Sequence, residues 1–463
     1  MLTFPPPFIE QTKELLGTEW EAFEQALQSD APVSIRLNNK INQPLSYERV
    51  SWCSSGYYLP ERPLFTADPL LHAGAYYVQE AGSMFLEQVI GQHIHKPGYA
   101  LDLCAAPGGK STHLSNLLPE GSFLISNETI RQRANILAEN MQKWGNPNVA
   151  VTNNSAADFG KLPPLFDVIV ADVPCSGEGM FRKDPASINE WSPANVELCA
   201  SRQQSIINDV WPSLKEDGIL VYSTCTYNRS EDENNIQWIA DTLGAQILTV
   251  DTDETWGITQ SESGYHFYPH KTQSEGFFIA VLQKTSSSAP AARKNKNNDS
   301  KSRQSVLKPD AFISYLEGDN WLFRSGKNGI FAYQKQFEEI INAINSHLNP
   351  LFAGIQMGEQ KGADFIPHTA LALSKVLNKN DLAIANVDWQ TAISYLRREA
   401  ITLPDSPKGY VVVAYNNTPL GWVKNLGNRA NNLYPSEWRI RMNIDLNTPY
   451  KSPLAENNLQ HIL

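Results

Sequence analysis

The chain has 463 residues, of which 41% are hydrophobic and 19% charged, and its net charge is -11. That length exceeds one ordinary core and predicts about two to four folding units, while no apolar run approaches the ~18 residues a membrane helix needs. Five cysteines at 53, 104, 175, 199 and 225 form no CxxC pair, which argues against a disulfide scaffold or a zinc knuckle, and the acidic balance restricts any nucleic-acid surface to local basic patches.

The opening MLTFPPPFIEQTKELL lacks the basic-then-apolar order of a secretory signal, so a mature cytosolic start and a cytoplasmic protein are expected. Residues 1–98 combine a helix over Ile9 to Gln28, a strand at SIRLN and Pro-rich loops, predicting a small α/β appendage. From 99 to 283 apolar strand-like runs alternate with helical ones. ALDLC, SFLISNE, VAVTN, FDVIVADVP, GILVYSTCT, AQILTV and GFFIAVLQK read as strands; Ser111 to Leu118, Ile130 to Trp144, Pro193 to Leu214 and Glu231 to Leu243 read as helices. This alternation predicts a mostly parallel sheet covered on both faces, with ligands beyond the carboxyl ends of its strands.

Residues 284–308, KTSSSAPAARKNKNNDSKSRQSVLK, are too poor in apolar side chains to offset their ordering entropy and read as a basic linker. Residues 309–385 look mixed α/β. Residues 386–463 look β-rich, with short strands separated by Asn-Asn, Pro and Gly turns from Gly409 onward. No repeat of fixed period is present.

Four motifs carry chemistry. LDLCAAPGGKSTHL (101–114) is a strand, a glycine turn and a helix start; such glycines let a ligand approach the backbone and aim N-H groups at anionic atoms. It is neither GxGxxG nor a Walker loop. Glu128 ends the next strand, where a carboxylate either meets ribose hydroxyls or caps the following helix. ADVPCSGEGMFRKDP (171–185) puts Asp172 and Cys175 at another strand end, and YSTCTYNRSEDENN (222–235) puts Cys225 at the next. Single buried cysteines are usually inert packing; two thiols at neighbouring strand ends beside polar groups suit substitution at an unactivated pyrimidine carbon. There a thiolate adds to C6, C5 becomes enamine-like and accepts a methyl from a sulfonium donor, an acid such as Asp172 assists at N3, and a base removes the C5 proton.

With DxPCSGEG and STCT both present and in order, the sequence resembles the Nop/Sun family of RNA cytosine-C5 methyltransferases over about residues 30 to 283, including SIRLN, YYVQEAGSM and EGFFIAVL. The resemblance implies a Rossmann-like class I S-adenosylmethionine methyltransferase sheet, with Cys104, Ala105, Ala106, Pro107, Gly108, Gly109, Lys110, Glu128 and Arg133 holding S-adenosylmethionine. It further implies Asp172 between cofactor and base, Cys225 as nucleophile and Cys175 assisting release of the product. Ser155 stands where the family often has an Asp at the adenine end, and Asn154 or Asp158 could substitute for it. The part after the linker resembles the RsmF-type (YebU) branch that acts on 16S ribosomal RNA, and implies a PUA-like module. In 408–442 five basic residues, Lys408, Lys424, Arg429, Arg439 and Arg441, interleave with Trp422, Tyr434 and Trp438, which suits RNA stacking and phosphate contact; the plainer reading is a solvated basic face over an aromatic core. Arg36, Lys183, Lys424, Arg429 and Arg439 are expected at RNA. The expected partner is ribosomal RNA, with no metal and no membrane, and the chain is read as a monomer. Alternatives are a transfer-RNA enzyme of the same chemistry and a non-catalytic ribosome-assembly or RNA-binding protein.

Overall fold

The computed structural model describes residues 2–41, 44–286, 312–362, 364–448 and 450–455; the expected linker lies outside the described residues from 287 onward. The expected first helix divides into α1 (Pro6–Leu16) and α2 (Trp20–Leu27), because Gly17 turns the chain at φ +55°. A three-stranded antiparallel sheet follows, with β1 (Val33–Leu37) between β2 (Gly56–Leu59) and β3 (Tyr76–Val78). Helices α3 (Pro69–His72) and α4 (Leu86–His93) complete this part.

All seven strands expected between 99 and 283 form: β4 (Tyr99–Asp102), β5 (Phe123–Asn127), β6 (Val149–Thr152), β7 (Phe166–Asp172), β8 (Leu214–Thr224), β9 (Ala245–Leu248) and, after the hairpin β10 (Thr259–Gln260) and β11 (Tyr265–Phe267), β12 (Phe277–Lys284). Helices α5 (Gly109–Leu117), α6 (Arg131–Trp144), α7 (Ala156–Phe159), α8 (Ser187–Glu190), α9 (Pro193–Val210) and α10 (Glu233–Leu243) connect them. Strands β6, β5, β4, β7 and β8 run parallel in that order, and β12 adds antiparallel to β8. β7 shows why the run is a strand buried on both sides. Val168 and Val170 face a core built from α4, α5 and α6, while Ile169 and Ala171 face one built from α9 and α10, the period of two a pleat imposes.

From residue 312 onward, β13 (Trp321–Gly326) and β14 (Gly329–Gln334) lead into α11 (Glu338–His347), whose Ile340, Ile341 and Ile344 join the core under α9 and α10. Strand β15 (Pro350–Ala353) then pairs antiparallel with β6 and extends the central sheet to ten strands. β16 (Ile355–Lys361) and β17 (Asp364–Pro367) close a four-stranded sheet with β13 and β14; α12 (Thr369–Leu373) follows. A second four-stranded sheet holds β18 (Ile384–Asn386), β19 (Gly409–Tyr415), β20 (Thr418–Asn425) and β21 (Ala430–Asn432), with α13 (Trp389–Leu396) packed on it.

Buried polar contacts fasten this last part to the rest. The Lys40 ammonium donates to the carbonyls of Lys143 and Leu373 at 2.9 and 2.7 Å, Ser452 donates to Asp68 at 2.6 Å, and the Trp389 indole donates to Ala67 O at 2.9 Å. Gly145, at φ +83°, ends α6 where a Cβ would collide with the Leu373 carbonyl; the close approach of α12 to α6 requires glycine there.

Candidate active site

β4 ends at Asp102 and the chain turns through Cys104 to Gly108 before α5 begins at Gly109. Gly108 sits at φ +118°, a conformation side chains rarely adopt. Asp102 is fully buried. Ser111 Oγ donates to its Oδ2 at 2.6 Å, while Oδ1 has no partner among the described residues. Burial pushes this carboxyl up to about 7, against the pull of Ser111 and Lys110.

A cleft of about 150 Å3 opens beside the turn, and Cys104, Ala105, Ala106, Pro107, Gly109, Lys110 and Asp172 line it together with Asp102. The opposite wall comes from β3 and its continuation: Tyr77, Gln79, Glu80 and Ser83. Glu80 accepts from the backbone N-H groups of Gly82 and Ser83, both at 2.7 Å, and of Glu275 at 3.0 Å. Burial, then the neighbouring Glu275 carboxylate, raises its pKa above the ordinary range.

At the end of β7, Asp172 Oδ2 lies 2.9 Å from Lys110 Nζ and its Oδ1 accepts from Ser223 Oγ at 2.8 Å. Burial opposes the Lys110 charge, but Asp172 more than offsets it and the ammonium is held above its ordinary pKa. Cys175 and Cys225, at the ends of β7 and β8, place their sulfurs 3.0 Å apart, and both are free thiols. The Cys225 N-H donates to Cys175 Sγ at 3.3 Å. Contact with the Cys225 sulfur, then burial, pushes the Cys175 thiol well above its usual value, so Cys175 keeps its proton and can donate it toward Cys225.

Two buried carboxylates fix the loops that carry the thiols. Glu231 accepts from Ser176 N at 3.0 Å, Asn228 Nδ2 at 2.8 Å and Gln203 Nε2 at 2.7 Å. Glu178 accepts from Tyr227 N at 2.8 Å and from the Trp191 indole at 3.0 Å. Neither was expected as a site residue, although both acids stand inside the two-cysteine motifs.

Glu128 ends β5 and accepts from Ile130 N at 2.9 Å; Arg133 pairs with it at 3.3 Å and also donates to Ala106 O at 2.8 Å. One Glu128 oxygen thus serves the start of α6 and the other faces Arg133. Ser155 is the exposed N-cap of α7, locked with Asp158 in a capping box. Asn154 is buried, with its Oδ1 accepting from Asn349 N at 2.8 Å.

The residues expected at RNA separate. Arg36 is a correction. It is entirely buried over the Trp144 ring, donating to Gln79 at 2.8 Å and Thr112 at 2.7 Å, and burial lowers its pKa to about 10. It ties β1 to α5 and reaches no surface. Lys183 is exposed at the rim, ion-paired with Glu275 at 2.9 Å. Lys424 pairs with Asp364 at 2.6 Å, while Arg429 and Arg439 are exposed. The stacking role expected of Trp422, Tyr434 and Trp438 is a second correction: all three are buried, Trp422 donating to His368 O at 3.1 Å, so they are core beneath a basic face.

The family models in chain order agree with this architecture. Residues 4–81 match the N-terminal domain of 16S rRNA methyltransferase RsmF, 92–283 match 16S rRNA methyltransferase RsmB/F, and 385–440 match the methyltransferase RsmF PUA domain. The ribosomal RNA small subunit methyltransferase F of Shewanella amazonensis is 30% identical over 419 residues, 84% of this chain and 86% of the relative. That of Aliivibrio fischeri is 29% identical over 94% of this chain and 97% of the relative. Among solved structures, a methyltransferase homolog protein from Pyrococcus horikoshii superposes with a TM-score of 0.53 at 25% identity, covering 61% of this chain and 95% of that one. NSun6 from Pyrococcus horikoshii, solved with SFG, gives a TM-score of 0.52 at 21% identity over 61% of this chain and 99% of that one. The fold is a Rossmann-like S-adenosylmethionine methyltransferase sheet with an N-terminal domain and a C-terminal PUA domain, and the chain belongs to the ribosomal RNA small subunit methyltransferase F family.

Proposed function

We propose that this S-adenosylmethionine-dependent RNA methyltransferase modifies C5 of cytosine in 16S ribosomal RNA through a covalent bond from Cys225 to C6 of the base. The observation that carries the reading is the pair of free thiols 3.0 Å apart at the ends of adjacent parallel strands, next to the Asp172–Lys110 ion pair.

The residues around the glycine turn fit the cofactor. Asp102 offers a buried carboxylate oxygen without a partner among the described residues, suited to an ammonium group. Gly109 leaves room in the cleft, where a Cβ would stand against Tyr77 and Gln79, and Glu128 stands one strand over for the ribose hydroxyls. Bound S-adenosylmethionine supplies an electrophilic methyl at this edge.

The protein's own part begins at sulfur. The Cys225 thiolate adds to C6, and the electron pair displaced toward N3 takes a proton from the Asp172–Lys110 pair, which receives it back when the methylated base is released. C5 thereby becomes nucleophilic and receives the methyl. Loss of the C5 proton to a base then reforms the double bond as the bond from C6 to sulfur breaks. Cys175, which keeps its proton, stands within reach of the departing sulfur and returns it to the resting pair. Exposed Arg429 and Arg439 on the C-terminal domain and Lys183 at the rim are the cations offered to RNA phosphates.

The test is incubation of the purified chain with tritiated S-adenosylmethionine and, separately, small ribosomal subunits, naked 16S RNA and bulk transfer RNA, with mapping of 5-methylcytosine. Label in ribosomal RNA alone supports the reading; label in transfer RNA alone overturns the substrate, and no label in any of them overturns the enzyme. Cys225→Ala is expected to abolish labelling with the cofactor still bound. Cys175→Ala is expected to accumulate a protein–RNA adduct, and clean turnover by that variant would remove Cys175 from product release.

A further inference from the structure

Away from the methyl-transfer cleft, three side chains from three separate elements meet: Cys53 in the turn between β1 and β2, Glu87 in the first turn of α4, and His113 in α5. Among the described residues this is the one group of three such side chains whose ligand atoms all lie within 4.8 Å of one another. We propose that it is a binding site for a single zinc ion, with the fourth coordination position open to the adjoining cleft.

The spacing carries the argument. Cys53 Sγ lies 3.1 Å from Glu87 Oε2 and 3.9 Å from His113 Nε2, and Nε2 lies 3.4 Å from that same Oε2. A tetrahedral zinc with ordinary bond lengths to sulfur, nitrogen and oxygen separates its ligand atoms by ~3.3–3.7 Å. The three observed edges average close to that, so a shift of a few tenths of an ångström seats the ion. Zinc is the metal such a mixed thiolate, imidazole and carboxylate set takes.

The bland reading of this cluster is a hydrogen-bonded triad, and the more ambitious one a nucleophile with its base. A relay of the second kind needs the imidazole to meet the thiol with one nitrogen and the acid with the other. Here Nε2 faces both, and Nδ1 is buried without a partner among the described residues. All three groups aim one atom each at a common point, as ligands do. Glu87 is held for this: its other oxygen accepts from Ser54 N at 2.9 Å, leaving Oε2 free to coordinate. On binding, bonds from zinc to sulfur, oxygen and nitrogen replace the hydrogen bonds among the three groups. The thiol proton leaves to solvent and the imidazole proton moves to Nδ1. One thiolate, one carboxylate and a neutral imidazole then balance the divalent charge, which suits a site whose Cys53 and His113 are 2% and 1% exposed. Entry is from a cleft of about 450 Å3 bounded by Glu87, His113, Asn38, Tyr57 and Asn116. The ion would staple the N-terminal turn to α4 and to the helix that opens at the glycine turn.

The experiment is titration of the reduced, metal-stripped full-length chain with cobalt(II), read by absorption and elemental analysis. One equivalent is expected to bind with thiolate-to-cobalt charge-transfer absorption and the intense visible bands of four-coordinate cobalt, and zinc is expected to displace it. Cys53→Ala should remove the charge-transfer band, while the double variant Cys175→Ala/Cys225→Ala keeps it. Glu87→Gln, which preserves shape, should weaken cobalt binding ~10-fold or more. The proposal is overturned if no metal binds, if the band survives Cys53→Ala, or, should that variant not fold, if Glu87→Gln binds cobalt as tightly as the parent chain.

Discussion

Phe337 is 2% exposed and belongs to the core beneath the catalytic sheet, its ring 5.1 Å from that of Phe123 on β5. It lies beyond the linker, so its truncation asks whether the C-terminal half holds the methyltransferase sheet together. Phe337→Ala removes a buried aromatic side chain and leaves a cavity, a loss of about 3–5 kcal/mol. At a urea slope of about 3 kcal/mol per molar, the midpoint of unfolding falls by ~1–1.7 M. Phe123→Ala should cost a similar amount, and the double variant less than the sum by about 0.5–1.5 kcal/mol, the coupling of one aromatic pair. Urea unfolding followed by tryptophan fluorescence reads all three. The reasoning is refuted if Phe337→Ala moves the midpoint by less than ~0.3 M, or if the segment after the linker melts in its own early transition while the catalytic sheet melts as before.

Asp102 ionises near 7 in the folded chain because it is buried and near 4 when unfolded, so the folded state holds a proton that the unfolded state has lost between those values. Its contribution to stability is full below pH 4 and falls by about 4 kcal/mol as pH rises through 7. Asp102→Asn should flatten that part of a stability–pH profile and weaken S-adenosylmethionine binding measured by calorimetry; an unchanged profile would place the carboxyl's ionisation elsewhere. Arg36→Met leaves Gln79 Oε1 without its donor and should cost about 1–3 kcal/mol with no change in RNA affinity, and the reverse pattern would return Arg36 to an RNA surface. Trp438→Phe should lower the melting temperature while RNA affinity holds. Arg429→Glu with Arg439→Glu should weaken RNA binding and reduce its salt dependence by about two units of slope; a salt slope equal to that of the parent chain would take both cations out of the interface.

Seven strands of the ten-stranded sheet were legible in the sequence because each carries an apolar run closed by polar or turn residues, and the thiols fell just beyond two of those ends. β15 was not legible. Pro350–Ala353 is four residues long, and its strand character exists only through pairing with β6, a partner no local pattern names. Arg36 was misread because charge predicts a surface, whereas this guanidinium is buried, held over an aromatic face and by two side-chain acceptors at Nε and Nη2. Trp422 and Trp438 were misread because an aromatic between basic residues has the same spelling whether its ring stacks on a base or fills a core. Asp102 and Glu80 carried a fainter signal. Both acids stand inside quoted motifs, but only the fold brings β3 across from the glycine turn.

Strand β15 also has a meaning in time. A bare sheet edge invites pairing with other chains, and the edge of β6 is covered only when residues about 200 positions later have been made, ~10–40 s at ordinary rates of synthesis. Throughout that interval the nascent catalytic sheet is unfinished at one side. Chains stopped short of Ala353 would therefore carry every residue proposed for catalysis and still be prone to stick to one another, so a later part of the chain guards an earlier one.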